Sequence, residues 1–472
     1  MTTQYIKVGS LPTVIKLLSN PSARSDSHPF ILSTDCVWGE HGTEISIEKL
    51  RQNIEPWLTA LFQSEHLNLL IGAGLSTSIQ MSATGLSPAG MGWISDLAVC
   101  QSEIDTFATQ AAQAAGRDKG NIEDQIRTIN ELIKGLEILT VLNAPHPKNP
   151  PAPHLAYRNL KTELEVLKGE LSRCLGEFSK SVSTGEYSIK TAEPKRQEES
   201  FNYLVSFLMS FASRTATRDR LHIFTTNYDR IIEVGAELAG LRLIDRFVGS
   251  IAPVFRSSRL EVDYHYNPPG IRGEPRYLEG VARFTKLHGS LDWHEQNSVI
   301  RRFGLPFGAQ SVDPFLEAEG HRRNSYEQLM IYPNSVKDRE TAEYPYVELF
   351  RDFAAATSRP NSTLVTYGYS FGDEHINRVI EDMLTVPSTH IVIMAFGDPL
   401  ERIENFIIKS GRKAQITLLM GNHLGDLKTL VDNYLPKPAI DKASIKMAEL
   451  LKQRGFMQPK ELDNSSDSEV FL

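Results

Sequence analysis

The chain has 472 residues, 41% hydrophobic and 23% charged, with 50 Lys and Arg against 58 Asp and Glu for a net charge of −8. Such a composition supports a sizeable core without disulfides or metals, and the length suits two or three domains or one large domain with insertions. The mild acidity argues against a protein that mainly grips nucleic acid, while three dispersed cysteines, Cys36, Cys100 and Cys174, exclude a four-cysteine zinc ribbon and point to a reducing cytoplasm.

The first twenty residues are broken by Gly9 and Pro12 and lack the features of a signal peptide. No apolar run reaches the roughly eighteen residues of a membrane span. Residues 1–50 offer one strand, Phe30–Ser33, and a turn around Gly39–Gly42; Thr43–Gln63 reads as a helix starting or kinked near Pro56. Short apolar runs then recur at Leu67–Ile71, Leu221–Thr226, Phe284–Leu287, Leu329–Tyr332, Thr363–Tyr367, His390–Phe396 and Gln415–Met420. Strands buried on both faces have this pattern. Helical patterns fall between most of them, at Asp229–Ala239, Tyr346–Thr357, Glu374–Leu384, Leu400–Ser410 and Leu424–Tyr434. Alternation of this kind predicts an α/β fold with a doubly wound, mainly parallel sheet.

The first two of these strands lie too far apart for one crossover helix, so residues from about 100 to 215 read as a helical insertion. Ile122, Ile126, Ile129, Ile133 and Leu136 form one amphipathic stripe. A loop, His146–His154, leads to a second stripe at Leu160, Leu164, Leu167, Leu171, Cys174 and Phe178. Two readings stand: the helices pack on each other within one subunit, or they form an oligomer seam. The polar, acidic residues Pro459–Leu472 read as a frayed tail.

Four motifs sit at strand ends. Gly72-Ala73-Gly74-Leu75-Ser76 permits a tight turn and a phosphate at the following helix start, although the third glycine of a dinucleotide fingerprint is missing. A merely structural glycine turn explains it equally well. In Thr225-Thr226-Asn227-Tyr228-Asp229, Asp229 can cap a helix, whereas the Asn227 carboxamide faces the crevice where open α/β sheets bind ligands. Lys286-Leu287-His288-Gly289-Ser290-Leu291-Asp292-Trp293 places a histidine, suited to proton abstraction or to a structural role, at a strand end. In Gly368-Tyr369-Ser370-Phe371-Gly372-Asp373-Glu374-His375 the glycines allow close approach, Ser370 offers a hydroxyl, and Asp373 or Ser370 can cap the next helix, with His375 in its first turn.

Taken in this order, the phrases FTTNYD, KLHGSLDW and GYSFGDEHI, preceded by Gly-Ala-Gly-x-Ser, resemble the bacterial sirtuin-like (Sir2-type) family found in antiphage defence, over about residues 55–435. The resemblance implies a Rossmann-like NAD-binding catalytic domain at 51–435, with residues 1–50 as an N-terminal extension and 436–472 as a C-terminal helix and acidic tail. It implies that Gly72, Ala73, Gly74 and Ser76 line the pyrophosphate and adjacent ribose of NAD⁺, that Asn227 and Asp229 sit at the nicotinamide end, that His288 is the catalytic histidine and that Gly368 and Ser370 close over the adenosine side. Asn227 and His288 are thus the expected catalytic pair, and neither is expected to be needed for folding.

The departures from protein-deacylating sirtuins are equally informative. The cysteine count removes their zinc module, and SIQMSATGLSPAGMGW replaces their usual Asp-Phe-Arg-like segment. Both favour NAD⁺ glycohydrolysis to nicotinamide and ADP-ribose, with no metal expected, over a deacylase or ADP-ribosyltransferase; a non-catalytic NAD or ADP-ribose sensor is the other alternative. The resemblance also implies a gated enzyme that depletes NAD⁺ during phage infection. Its gate would be a homo-oligomer or a partner such as a HerA-type hexameric ATPase or an Argonaute. No Walker motif lies in this chain, and neither direct nucleic-acid nor membrane binding is expected.

Overall fold

The computed structural model describes residues 3–9, 11, 13–21, 28–88, 92–114, 117, 120–142, 159–214, 218–258, 263–266, 276–321, 326–331 and 344–437. The loop His146–His154 and residues 438–472 lie outside this set.

The chain begins with four short strands, β1 (Thr3–Lys7), β2 (Ile15–Ser19), β3 (Phe30–Leu32) and β4 (Glu44–Ile45), before helix α1 (Ile47–Phe62). The expected helix from Thr43 therefore starts later. Ser46 accepts a hydrogen bond from Lys49 N at 3.1 Å and sets the start, and the helix continues through Pro56. Next come β5 (His66–Ile71) and α2 (Ala73–Thr84). The insertion follows as α3 (Gln101–Ala114), α4 (Ile122–Leu142), α5 (Leu160–Lys190) and α6 (Pro194–Ala212).

Beyond it, β6 (His222–Thr225) leads to α7 (Ile231–Leu238) and then to β7 (Arg242–Ile244), β8 (Phe247–Val248) and β9 (Val254–Phe255). A two-stranded ribbon, β10 (His265–Tyr266) and β11 (Arg276–Tyr277), precedes β12 (Val281–Lys286), β13 (Gly289–Gln296) and β14 (Val299–Arg302). The last elements are α8 (Asp313–Ala318), β15 (Leu329–Ile331), α9 (Tyr346–Thr357), β16 (Ser362–Tyr367), α10 (Glu374–Met383), β17 (His390–Ala395), α11 (Arg402–Ser410) and β18 (Ile416–Met420). The helix expected at Leu424–Tyr434 is a short α-turn, Leu427–Thr429, followed by a π-turn, Leu430–Tyr434.

One sheet of eleven strands organises the molecule, in the order β4-β3-β2-β1-β18-β17-β16-β5-β6-β12-β7. From β18 to β7 every pairing is parallel, while β1 to β4 join antiparallel at the other edge. The sheet is therefore mainly parallel, and residues 1–50 extend it. Alternate residues feed opposite cores. Leu67, Leu69, Ile71, Val365, Tyr367, Val392 and Met394 pack with α1, α2, α6 and α7. Leu70, Leu364, Ile391, Ile393 and Ala395 pack with α9, α10 and α11. This two-sided burial is why the strands read as unbroken apolar runs.

The two stripes of the insertion, Ile122 to Leu136 and Leu160 to Phe178, share one buried cluster. The seam is thus satisfied within the chain. A second sheet, of five antiparallel strands in the order β15-β13-β14-β9-β8, was not expected. Its Leu329 run is no part of the parallel sheet. Trp293, Phe255 and Ile300 face the main core and Leu291, Phe303 and Leu329 face the insertion, so this small sheet fastens the two together.

Candidate active site

The carboxyl ends of β5, β6, β12 and β16 are neighbours in the sheet, and they bring all four motifs to one edge. The glycines make the first contact. A Cβ on Gly72 would lie 2.5 Å from the Gly368 carbonyl oxygen, one on Gly74 would lie 2.5 Å from Gly368 Cα, and one on Gly368 would lie 2.6 Å from Gly74 Cα. Gly368 also has φ +62°. The two loops touch backbone to backbone, closed by Gly74 N donating to the Gly368 carbonyl at 3.0 Å. These glycines are thus required by the fold itself, whatever ligand they approach. Ala73 and Ser370 are exposed beside this contact.

The polar cluster lies one strand further along. Asn227, only 6% exposed, donates from Nδ2 to the Gly72 carbonyl at 3.0 Å and to Ser76 Oγ at 2.9 Å. Ser76 in turn donates to Asp229 Oδ2 at 2.7 Å, and Asp229 Oδ1 accepts from Ile231 N at 3.1 Å, from the position before the N-cap Arg230 rather than as the N-cap itself. Both amide hydrogens of Asn227 are committed inside the protein. Its carbonyl oxygen is the atom it can offer to a ligand, as an acceptor. The three polar residues assigned to different parts of the cofactor form one hydrogen-bonded unit.

Buried charges hold this unit from below. Lys286, 1% exposed, donates to the Tyr228 carbonyl at 3.4 Å, to the Asp229 carbonyl and to Glu233 Oε1 at 2.9 Å. Burial pushes the Glu233 carboxyl up against the pull of Lys286. Arg230 pairs with the fully buried Glu186 of α5 and also donates to the carbonyls of Leu305 and Pro306. The insertion is thereby tied to the Asn227 loop. Sequence reasoning passed over Lys286, Glu233, Arg230 and Glu186, because a buried charge and a solvated one look the same in a sequence.

His288 is buried in the two-residue link between β12 and β13, so its strand leads into the second sheet. The link is pinned by Leu287 N donating to the Thr225 carbonyl at 2.8 Å and Leu291 N donating to the Tyr228 carbonyl at 3.0 Å. Its ring lies 6.2 Å from that of Tyr228, next to Asn227, and 5.9 Å from that of His375. Asp373 occupies the N-cap position of α10, but its side chain makes no capping hydrogen bond. The expectation that it caps the helix is corrected: the carboxylate lies instead in a cluster with His288 and His375.

Residues 221–411 match the family model of the SIR2-like domain. The match runs from the start of β6 to the end of α11 and ties the site to NAD-related chemistry. It leaves out Gly72–Ser76, which precede the insertion. The fold sets them beside the matched segment, because β5 pairs on one side with β6 and on the other with β16. No curated protein matches the chain in sequence. Among the described residues no helix is long and apolar enough to cross a membrane.

Proposed function

We propose that the protein is an NAD⁺ glycohydrolase. The observation that carries this reading is the Asn227–Ser76–Asp229 unit, which fixes one carboxamide at the carboxyl edge of the parallel sheet, with the buried His288 at the end of the neighbouring strand. Open α/β sheets bind nucleotides at that edge.

In the reaction, the bond between the ribose C1′ and the nicotinamide nitrogen breaks, and its electron pair neutralises the pyridinium ring. Water adds to the sugar carbon as oxocarbenium character develops, and its proton leaves. The Asn227 carbonyl oxygen is suited to accept a hydrogen bond from the water or a ribose hydroxyl, and the His288 imidazole is suited to take the proton. Gly72, Ala73, Gly74 and Ser76 remain the proposed walls for pyrophosphate and ribose, Asp229 for the nicotinamide side, and Gly368 and Ser370 for the adenosine side. Depletion of NAD⁺ in antiphage defence, in the cytoplasm and under the control of a homo-oligomer or a partner ATPase or Argonaute, is the biological setting we assign to it.

Purified protein mixed with NAD⁺ alone tests the reading. Nicotinamide and ADP-ribose should appear without any acceptor, and His288→Ala and Asn227→Ala should each lower the rate at least about a hundredfold. Turnover only with an acylated peptide, or binding without turnover, overturns it.

A further inference from the structure

The ligand-capable atoms of His288, Asp373 and His375 all lie within 4.8 Å of one another. They arrive from two loops distant in the chain, the link between β12 and β13 and the start of α10. The His288 and His375 rings are inclined at 41°, and Phe350 packs edge-on against His375 at 4.6 Å. Asp373, at the N-cap, does not spend its carboxylate on capping.

Two imidazoles and one carboxylate form a donor set suited to zinc and its first-row neighbours rather than to magnesium or calcium. Bonds of about 2.1 Å put tetrahedral ligand atoms roughly 3.4 Å apart, so the cluster has to close by at most about 1.4 Å, the scale of a side-chain adjustment. The nearby Arg402 guanidinium interacts with Asp373. Its charge disfavours an ion held by carboxylate attraction alone and leaves the imidazoles to supply most of the binding.

We propose that His288, Asp373 and His375 bind one zinc-class divalent cation, with a fourth position open. One consequence rests on the glycohydrolase reading. A coordinated imidazole nitrogen cannot accept a proton, and the ion's charge opposes protonation of the rest of the ring. A bound cation therefore withdraws the proposed base and holds NAD⁺ cleavage off. The same histidine serves either the metal or the reaction.

The test uses the full-length protein stripped with a chelator. Zn²⁺ is titrated by calorimetry, and Co²⁺ by its visible d–d absorption, which reports low-coordinate ligation independently of any turnover. One ion per chain is expected, with His375→Ala and Asp373→Asn each weakening it at least tenfold and Zn²⁺ slowing NAD⁺ cleavage at least tenfold until chelator is added. Absence of stoichiometric binding and of a Co²⁺ band in the wild-type chain overturns the site. Binding unchanged in both variants overturns the ligand assignment. Binding without slowed cleavage overturns the hold-off. Binding with no NAD⁺ cleavage in either form keeps the metal site and sinks the glycohydrolase reading.

Discussion

Two clusters lie side by side on the carboxyl edge of the parallel sheet and are built of opposite materials. Gly72, Gly74 and Gly368 have no side chains, and they meet through backbone at distances that leave no room for a Cβ. Ser76, Asn227 and Asp229 meet only through side chains, in a chain of hydrogen bonds. The first cluster holds the two loops together. The second orients groups toward whatever binds above them. A glycine-rich strand end followed by a helix is easily read as a phosphate cradle, yet here the glycines answer first to each other. The side chains, not the glycines, separate a site from a turn.

The sharpest way to break this comparison is Gly368→Ala. The new methyl would meet Gly74 while the backbone stays at φ +62°. Left-handed strain and overpacking together should cost about 3 kcal/mol. Denaturant unfolding should show that loss, with NAD⁺ cleavage falling as the fold loosens. Full stability in this variant would mean that the loops can part, and the glycines would then revert to ligand-facing roles.

The catalytic pair divides along the same line. Asn227→Ala and His288→Ala should lose similar activity, but Asn227 also supplies the bonds to the Gly72 carbonyl and Ser76. Its removal should lower unfolding stability by about 1 kcal/mol as well. The sequence suggests that both substitutions leave folding intact; the two hydrogen bonds of Asn227 argue against that for Asn227→Ala. A melting curve for Asn227→Ala that matches wild type would detach Asn227 from the fold.

Legibility followed the same physics. The parallel strands β5, β6, β16, β17 and β18 were visible because burial on both faces makes them continuous apolar runs. Of the second sheet only β15 shows, as the Leu329 run, and it reads as part of the parallel sheet. Phe247–Val248 and Val254–Phe255 are two residues long, and β14 carries Arg301 and Arg302. The N-terminal strands were hidden in part because Lys7 is buried in one and Lys16 is exposed in the next, an edge pattern that short windows miss. Asn227 and His288 stood out as polar residues at strand ends. Their supports did not, since Glu186 and Arg230 meet only after the insertion folds back. His375 was visible in its helix turn, but its neighbour His288 lies on another loop.

Two histidines buried away from the site couple the fold to acid. His390, hydrogen-bonded to Thr417 at 2.8 Å, and His294 are both pushed down to about 4, mainly by burial. The unfolded chain takes up their protons more readily, at its ordinary value near 6.5. Stability is therefore present above about pH 6.5 and lost as pH falls toward 4, by up to about 1.4 kcal/mol per pH unit for each histidine. Thermal unfolding across pH 7 to 5 should show the decline. A flat profile would mean that these imidazoles are not held neutral.

The smallest expected effect tests the finest distinction. Ser76 accepts from Asn227 and donates to Asp229, so Ser76→Ala removes one of the two bonds that hold the carboxamide. The bond to the Gly72 carbonyl remains. The site is only partly buried at Ser76, and water can replace the hydroxyl, so the loss should be about 1 kcal/mol, roughly fivefold in NAD⁺ cleavage. A loss as deep as that of Asn227→Ala has a different meaning. Ser76 would then touch NAD⁺ itself, as the glycine-motif reading expects, and the polar cluster would be a binding surface throughout rather than a support for one carboxamide. An unchanged rate would show that the Gly72 bond alone fixes Asn227, and the two clusters would be coupled through a single carbonyl oxygen.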